Sequence, residues 1–201
     1  MFDPILITGA SKGLGLFLAN KFEKEGYPVL KHNGRNHFDL TQEEELLKLV
    51  EEAKNFGVKI LINNASIKCP GIELENYELN SIKNIIEVNL LAPIKLSYLL
   101  FKDLNTIINI NSVVGLEIKP FRTIYSASKY GLRGFSNSLK KENTEINILD
   151  VYSSAFSGVD PKKHMKIDLV VDGIYKAFKN KNKELIIDGR KGEKPIIKYS
   201  N

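Results

Sequence analysis

Short apolar runs alternate with stretches of helical periodicity along almost the whole chain, and this alternation is the strongest constraint on its fold. The runs that predict strands cover residues 5–9, 28–32, 37–40, 59–63, 106–112, 146–152 and 184–187. Helical patterns lie between most of them, at residues 13–26, 41–56, 79–101, 124–141 and 167–180. Strands that alternate with helices form βαβ units and parallel sheets. The sequence therefore predicts an α/β fold with one doubly wound, mostly parallel sheet of seven strands.

Size and composition are compatible with one globular domain. The chain has 201 residues, 43% of them hydrophobic, so it can bury a substantial core. We expect a single domain over residues 1–201, because no linker or repeat divides the chain. No apolar run approaches the roughly 18 residues of a membrane span, and we see no signal peptide. Cys69 is the only cysteine, which fits a reducing compartment, so we expect a cytoplasmic protein.

Positive charge is concentrated near the C-terminus. The formal net charge is +5, and residues 159–201 hold 11 Lys and Arg against 6 Asp and Glu, whereas the rest of the chain balances. This excess is either a solvated surface or an attraction for an anionic substrate or cofactor. No aromatic and basic residues interleave as nucleic-acid binding would require. His32, His37, His164 and Cys69 lack metal-ligand spacing. We therefore expect neither nucleic acid nor metal as a partner.

Three glycines, Gly9, Gly13 and Gly15, fall in the turn between the first predicted strand and the first predicted helix. Glycine in such a turn permits unusual backbone angles and the close approach of a pyrophosphate. The helix N-terminus adds amide donors and partial positive charge. The turn therefore predicts a dinucleotide site, and the alternative is ordinary loop chemistry.

The pattern Tyr-x-x-x-Lys occurs four times, at residues 27, 98, 125 and 175, so context must select among the copies. Tyr125 and Lys129 are separated by small residues, and Ser112 ends a predicted strand thirteen positions earlier. Residues four apart share a helix face, so the Lys129 ammonium would lie beside the phenol and lower its pKa. Such a phenol can exchange a proton with an oxygen atom that Ser112 holds by a hydrogen bond. The other three copies are explained by a position at the start of a strand or by packing in the core.

Taken together, these motifs resemble the short-chain dehydrogenase/reductase family. The segment Thr8-Gly-Ala-Ser-Lys-Gly-Leu-Gly15 matches the family's Thr-Gly-x-x-x-Gly-x-Gly signature, and Asn63-Asn-Ala-Ser66 is similar to its Asn-Asn-Ala-Gly segment. The resemblance implies a Rossmann-type, NAD(P)-binding oxidoreductase that moves a hydride between a nicotinamide and a ketone, aldehyde or secondary alcohol. The catalytic residues that it implies are Asn89, Ser112, Tyr125 and Lys129. The cofactor-binding residues that it implies are Gly9, Ser11, Lys12, Gly13, Leu14, Gly15, Arg35, Asp39, Leu40, Asn64, Ala65, Tyr125, Lys129 and Phe156.

Basic residues favour NADP(H) over NAD(H) as the cofactor. A NAD site usually places an acid at the end of the second strand, and Asn33-Gly-Arg35 contains none. Arg35 suits a 2′-phosphate, and Lys12 lies in the glycine turn, where NADP-preferring members of the family often carry a base. The alternative is that both are ordinary surface charges.

Three departures from the family pattern qualify the resemblance. Residues 32–38 leave no room for the usual helix between strands two and three, and Ser153-Ser154 replaces a Pro-Gly pair. The segment that covers the substrate is reduced to about residues 157–166, which implies an open pocket or one closed by another subunit. Relatives commonly pair through helices that match residues 79–101 and 124–141, so the resemblance implies a homodimer or homotetramer. A nucleotide-sugar epimerase or dehydratase and a non-catalytic NADP(H) sensor remain alternative functions.

Overall fold

The computed structural model describes residues 2–68, 71–157, 165–190 and 195–201. Its strands are β1 (Ile5–Ile7), β2 (Val29–Lys31), β3 (Ile60–Asn63), β4 (Thr106–Ser112), β5 (Asn147–Ser153), β6 (Phe156–Ser157), β7 (Met165–Lys166), β8 (Glu184–Asp188) and β9 (Ile196–Ser200). Within the described ranges, seven of them form one sheet in the order β2-β1-β3-β4-β5-β8-β9, while β6 and β7 pair separately. The sheet is parallel from β2 to β8, and β9 is antiparallel to β8. The predicted α/β fold with a mostly parallel seven-stranded sheet is confirmed.

Helices cover both faces of this sheet. They are α1 (Gly13–Lys24), α2 (Glu43–Phe56), α3 (Leu79–Ile86), α4 (Ala92–Leu99), α5 (Thr123–Glu142) and α6 (Ile167–Lys179). Apolar residues of α1 and α6 pack on one face, and those of α2 and α4 pack on the other. Successive strand residues point to opposite faces, so Ile5 and Ile7 join the first cluster while Leu6 joins the second. None of the described helices has both the length and the apolar character that a bilayer span requires.

The segment after β2 corrects one part of the strand prediction. Residues 37–40, which the sequence analysis assigned to a strand, belong to no strand, because the chain turns back on itself at Gly34. The backbone N–H groups of His37 and Phe38 both donate to the Gly34 carbonyl, at 2.9 and 3.2 Å. Gly34 has a φ of +86°, which favours glycine. A backbone whose donors are used within its own turn cannot pair with β2, so β2 forms the edge of the sheet.

The seventh strand of the sheet is β9, which the sequence analysis missed. Its residues are mostly exposed, and Ile196 and Ile197 are adjacent rather than alternating with polar residues. A period-2 pattern is the sequence signal of a half-buried strand, and β9 lacks it. Its pairing with β8 is therefore a product of tertiary structure.

Threonine is a favoured N-cap residue, and Thr41 stands where the helical pattern of residues 41–56 begins, yet the N-cap of α2 is Gln42. No side chain caps the helix there. Thr41 instead donates from its backbone N and its Oγ1 to the Asp39 carboxylate, at 3.0 and 2.9 Å. Asp39 thus closes a local turn ahead of the helix. The three glutamates of the first turn stabilise the helix, because they lie at the positive end of its dipole.

The long helix predicted at residues 79–101 is present as three successive segments. A π-helical turn, Glu87–Leu91, separates α3 from α4. Proline commonly kinks a helix, and the irregularity here lies in the turn that precedes Pro93. Proline lacks the N–H that a regular helix would direct at the carbonyl four residues earlier, which belongs to Asn89. The helix widens at that point, and π-helical turns of this kind are frequent at functional sites.

Candidate active site

A cavity of about 1080 Å³ runs along the carboxyl ends of the parallel strands. This edge is where open α/β sheets bind ligands. The cavity collects most of the residues that the sequence analysis singled out, namely Gly9, Ser11, Lys12, Gly13, Leu14, Arg35, Asp39, Leu40, Asn64, Ala65, Ser112, Tyr125 and Lys129. Gly15 lies in the first turn of α1, and Asn89 lies in the π-helical turn. The backbone of Phe156 lies in β6, and its side chain is outside the described part of the chain.

The turn between β1 and α1 requires glycine at defined positions. Gly9 and Gly13 have φ values of +67° and +56°, in the left-handed region. A Cβ atom on Gly15 would lie 2.2 Å from the Gly9 carbonyl oxygen and 2.5 Å from Nδ2 of Asn64. No side chain caps the N-terminus of α1, whose N-cap is Lys12, so its first backbone N–H groups are available to an anion.

Hydrogen bonds from the loop after β3 hold the glycine turn in place. Asn64 donates from Nδ2 to the carbonyls of Thr8 and Gly9, at 2.8 and 3.0 Å. The Thr8 hydroxyl accepts from the backbone N atoms of Asn64 and Ala65, both at 3.0 Å. The Asn64 amide therefore supports the turn, and its predicted contact with a cofactor stays a prediction.

His32 is a supporting residue that the sequence analysis missed. It is 2% exposed, its Nδ1 accepts from the Gly9 N–H at 3.2 Å, and its Nε2 donates to the Phe38 carbonyl at 2.8 Å. Burial lowers its pKa, which fits the neutral ring that this pair of bonds requires. His32 therefore joins the glycine turn to residues 34–39, where Nε of Arg35 lies 3.0 Å from the Asp39 carboxylate. No short-range pattern in the sequence signals this role.

The end of β4 brings Ser112 to the opposite end of the cavity. The Ser112 hydroxyl accepts from the backbone N of Val114 at 3.3 Å. The preceding residue, Asn111, also escaped the sequence analysis: its Oδ1 accepts from the Ser112 backbone N at 2.8 Å, and its Nδ2 donates to the Lys129 carbonyl at 3.1 Å. Asn111 thus connects the end of β4 directly to α5.

Lys129 lies buried beside Tyr125 on α5. Its Nζ donates to the Ile110 carbonyl at 3.1 Å and lies 5.6 Å from the centroid of the Tyr125 ring. Lys129 is 2% exposed, and burial lowers its pKa to about 8. This arrangement places the Lys129 ammonium, which loses its proton more readily than that of an ordinary lysine, next to the phenol of Tyr125 on the cavity wall.

The other copies of Tyr-x-x-x-Lys lie away from this cavity. Tyr27 is buried in an aromatic cluster with Phe2 and Phe22. Tyr98 is 78% exposed, and the Tyr175 hydroxyl donates to Glu25 at 3.0 Å. Tyr125 and Lys129 are the copy of the pattern that lines the cavity, and the proposed role of Tyr125 stays a prediction.

Asn89 ties the loop after β3 to α5 from behind the cavity. Its Oδ1 accepts from the Ile67 backbone N at 2.7 Å and from the Ser66 hydroxyl at 3.2 Å. Its Nδ2 donates to the Ile67 carbonyl at 3.0 Å and to the Ser128 hydroxyl at 3.4 Å. Asn89 is 1% exposed, so the π-helical turn directs it into the protein.

The expected substrate cover falls largely outside the described residues. Residues 158–164, which include His164, are not described, and neither is Cys69. Ser154, the second residue of the pair that replaces the family's Pro-Gly, is buried, and its hydroxyl accepts from the Gly189 backbone N at 2.9 Å. It therefore joins the ends of β5 and β8. In the ranges that the structure covers, no group of three or more potential metal ligands is found.

The sheet topology and the glycine turn define a Rossmann-type nucleotide-binding protein. The sequence pattern of the family described as short chain dehydrogenase matches residues 3–168 of this chain. The ketoacyl reductase HetN of Nostoc sp. is 30% identical over 92% of this chain and 78% of its own length. The NADPH-dependent 1-acyldihydroxyacetone phosphate reductase of Schizosaccharomyces pombe is 30% identical over 81% of this chain and 62% of its own.

Solved structures agree with these matches. The bulky-bulky ketone specific alcohol dehydrogenase from Comamonas testosteroni superposes with a TM-score of 0.80 at 25% identity, over 92% of this chain and 86% of that one. The chain belongs to the short-chain dehydrogenase/reductase family, and it is an oxidoreductase of the type that acts on CH–OH groups.

Substitution of Gly15 by alanine tests the packing of the glycine turn. We expect Gly15→Ala to lower the free energy of unfolding by about 1–3 kcal/mol, because the new methyl group overlaps the Gly9 carbonyl. Gly134 is the matched control, since it lies in α5 with nothing within 4 Å of an added Cβ. Gly134→Ala should stabilise the protein by up to about 1 kcal/mol. Urea unfolding measures the free energy of unfolding of both variants. Equal changes in the two variants would contradict the argument that Gly15 is closely packed.

The pH dependence of stability tests the burial of the Lys129 ammonium. Its folded pKa of about 8 lies below the ordinary 10.5, so between these values the unfolded state binds more protons and stability rises with pH. Relative to Lys129→Met, the wild type should gain up to about 3 kcal/mol between pH 7 and pH 11. Thermal unfolding across this range measures the gain. Lys102→Met, at an exposed lysine, is the control: it keeps Lys129, so its stability should rise with pH as that of the wild type does. A constant difference between wild type and Lys129→Met would overturn the assignment.

Proposed function

We propose that this protein is an NADP(H)-dependent oxidoreductase that reduces a ketone or aldehyde, or oxidises the corresponding secondary alcohol. The observation that carries the proposal is the buried Lys129 ammonium, 5.6 Å from the Tyr125 ring at the end of the cavity that Ser112 reaches. The names of two relatives, a ketoacyl reductase and an NADPH-dependent reductase of an acylated dihydroxyacetone phosphate, support ketone reduction. Among the described residues of the site, none specifically favours an epimerase, a dehydratase or a sensor.

In the proposed mechanism, Tyr125 is the acid and base. During reduction it gives its proton to the carbonyl oxygen of the substrate, while the Ser112 hydroxyl holds that oxygen by a hydrogen bond. The Lys129 ammonium lowers the cost of the phenolate that remains on Tyr125. The bound nicotinamide supplies the hydride chemistry, and the protein supplies position and charge. In oxidation the phenolate takes the proton of the alcohol.

The residues at the other end of the cavity fit a dinucleotide. Close packing at Gly9 and Gly15 leaves no room for side chains at these two positions, and the uncapped start of α1 suits a pyrophosphate. Lys12 and Arg35 lie in the same cavity wall and suit the 2′-phosphate of NADP(H). Arg35 uses Nε for its ion pair with Asp39, which leaves the terminal nitrogens of the guanidinium for a phosphate.

Asn89 is the fourth residue of the proposed catalytic set, as a positioning residue. Its hydrogen bonds with Ile67 and Ser128 hold the loop after β3 against α5. Ser128 directly precedes Lys129 in that helix. The water chain that the family resemblance implies would run from this region to Lys129. The remaining cofactor contacts are proposed for the other lining residues and for the backbone of Phe156.

We further propose that the chain forms one NAD(P)-binding domain that acts in the cytoplasm and pairs with a second copy through α3, α4 and α5. An apolar cavity of about 690 Å³ lies between α4 and α5, lined in part by Tyr98, Phe101 and Phe135. The exposure of Tyr98 beside it supports an interface on these helices.

Removal of the Tyr125 hydroxyl tests the mechanism directly. We expect Tyr125→Phe to lower kcat by at least about 10³-fold, since the proton donor is lost. The dissociation constant for NADPH, measured by fluorescence titration, should change by less than about threefold, because one cofactor contact is a small part of the interface. Tyr98→Phe is the matched control, as Tyr98 belongs to the same sequence pattern but lies outside this cavity. Normal turnover by Tyr125→Phe would remove this residue from the mechanism.

The cofactor preference is tested by neutralising the two basic residues. Lys12→Ser and Arg35→Ser should each weaken NADPH binding by about tenfold, the equivalent of one charge-assisted contact, and leave NADH binding nearly unchanged. Lys31→Ser is the control, because Lys31 pairs with Glu23 and does not line the cavity. Equal losses for NADPH and NADH would indicate a general loss of binding and contradict the preference.

A further inference from the structure

We propose that the substrate carries an anionic group, a carboxylate or a phosphate ester, which Lys119 and Arg122 bind beside Tyr125. The inference rests on the proposed function and adds the chemical class of the substrate. It comes from the loop that joins β4 to α5, which supplies both cations.

In this loop the large apolar side chains are exposed and the basic side chains line the cavity, which reverses the usual arrangement. Ile118 and Phe121 are 83% and 53% exposed and do not line the cavity. Lys119 and Arg122 are half-buried and do line it. Lysine and arginine normally extend into solvent while large apolar groups are withdrawn, so the observed arrangement needs a cause. A ligand with negative charge inside the cavity supplies that cause.

The backbone of the loop is strained at the residue before Arg122. Phe121 has a φ of +58°, in the left-handed region that bulky residues rarely adopt. Strain of this kind concentrates at functional sites, where it holds neighbouring groups in position. Here it accompanies the placement of the Phe121 ring outside the cavity and of the Arg122 side chain in its wall.

The charges that line the cavity are strongly unbalanced. Among the described lining residues, seven are lysine or arginine and one, Asp39, is a carboxylate. Arg35 pairs with Asp39, and Arg190 pairs with Asp188 and Glu117.

The two cations of the β4–α5 loop have no such compensation. Neither Lys119 nor Arg122 forms an ion pair with any carboxylate in the part of the chain that the structure covers. The first turn of α5 also contains no acidic residue. The positive potential at this end of the cavity is therefore left for a ligand.

Position separates these two cations from the residues proposed for the 2′-phosphate. Lys12 and Arg35 follow β1 and β2, whereas Lys119 and Arg122 follow β4, three strands away from β2 in the sheet order. At about 4.8 Å per strand, that distance is about 14 Å. Arg122 precedes Tyr125 by three residues, so its charge belongs to the substrate end. The anionic group should therefore lie a few bonds from the carbonyl that Tyr125 protonates.

Matched pairs of ketones test this inference with purified protein and NADPH. The first pair is 4-oxopentanoate and its ethyl ester, and the second is dihydroxyacetone phosphate and dihydroxyacetone. Within at least one pair, kcat/KM for the anion should exceed that for the neutral compound by at least about tenfold, the effect of one ionic contact. The pair with the larger ratio distinguishes carboxylate from phosphate. Added salt should reduce the ratio, because it screens charge.

Variants of the loop assign this preference to its residues. Lys119→Ala/Arg122→Ala should reduce the anion-to-neutral ratio to about 1, while the NADPH dissociation constant stays within about threefold, since the cofactor phosphates bind elsewhere. Ile118→Ala, at the exposed neighbour, is the matched control and should keep the full ratio.

The outcomes separate this inference from the function on which it rests. Turnover of anionic and neutral ketones with equal kcat/KM would overturn the inference and leave the proposed function intact. A ratio that survives in the double variant would also overturn it. Turnover of none of the four ketones would overturn both.

Discussion

The proposed chemistry depends on one buried cation, the ammonium of Lys129. Water is largely excluded from it, so its charge is costly to maintain, and its pKa is lowered to about 8. The Ile110 carbonyl accepts its hydrogen bond, and the Tyr125 ring lies beside it. A buried cation acts on a neighbouring phenol more strongly than a solvated one, because less solvent screens it. The same burial that destabilises the fold therefore makes the group useful.

The position of Lys129 depends in turn on how α5 lies against the sheet. A line of buried polar side chains runs beneath this helix: Nδ2 of Asn63 donates to Asn109 at 2.8 Å, and Asn109 donates to Ser136 at 2.9 Å. Further along, Lys140 forms an ion pair with the buried Asp150. Burial raises the pKa of Asp150, and the Lys140 ammonium opposes that effect. Apolar contacts tolerate small rotations of a helix, whereas directional bonds do not, so these residues fix which face of α5 meets β4.

The opposite end of the cavity is built around a compact turn. Residues 33–41 replace the strand and helix that the family pattern leads one to expect, and His32 fastens them to the glycine turn. The two ends of the cavity are therefore shaped by different structural features. Backbone conformation and glycine shape the cofactor end, and buried side chains on α5 shape the end where proton transfer is proposed. Between them, the parallel strands give a rigid support.

The sequence by itself determined the fold class and the glycine turn, and it singled out Tyr125, the copy of the four similar patterns that lines the cavity. These features depend on local periodicity, on residue size and on spacing along one helix, all of which a sequence displays. Only the tertiary structure decided the roles of His32 and Asn111, the true seventh strand β9, and the inward direction of Lys119 and Arg122. Each of these depends on which distant segment lies opposite a given residue. Local propensity carries no record of such partners, because they come together only when the chain closes around its core.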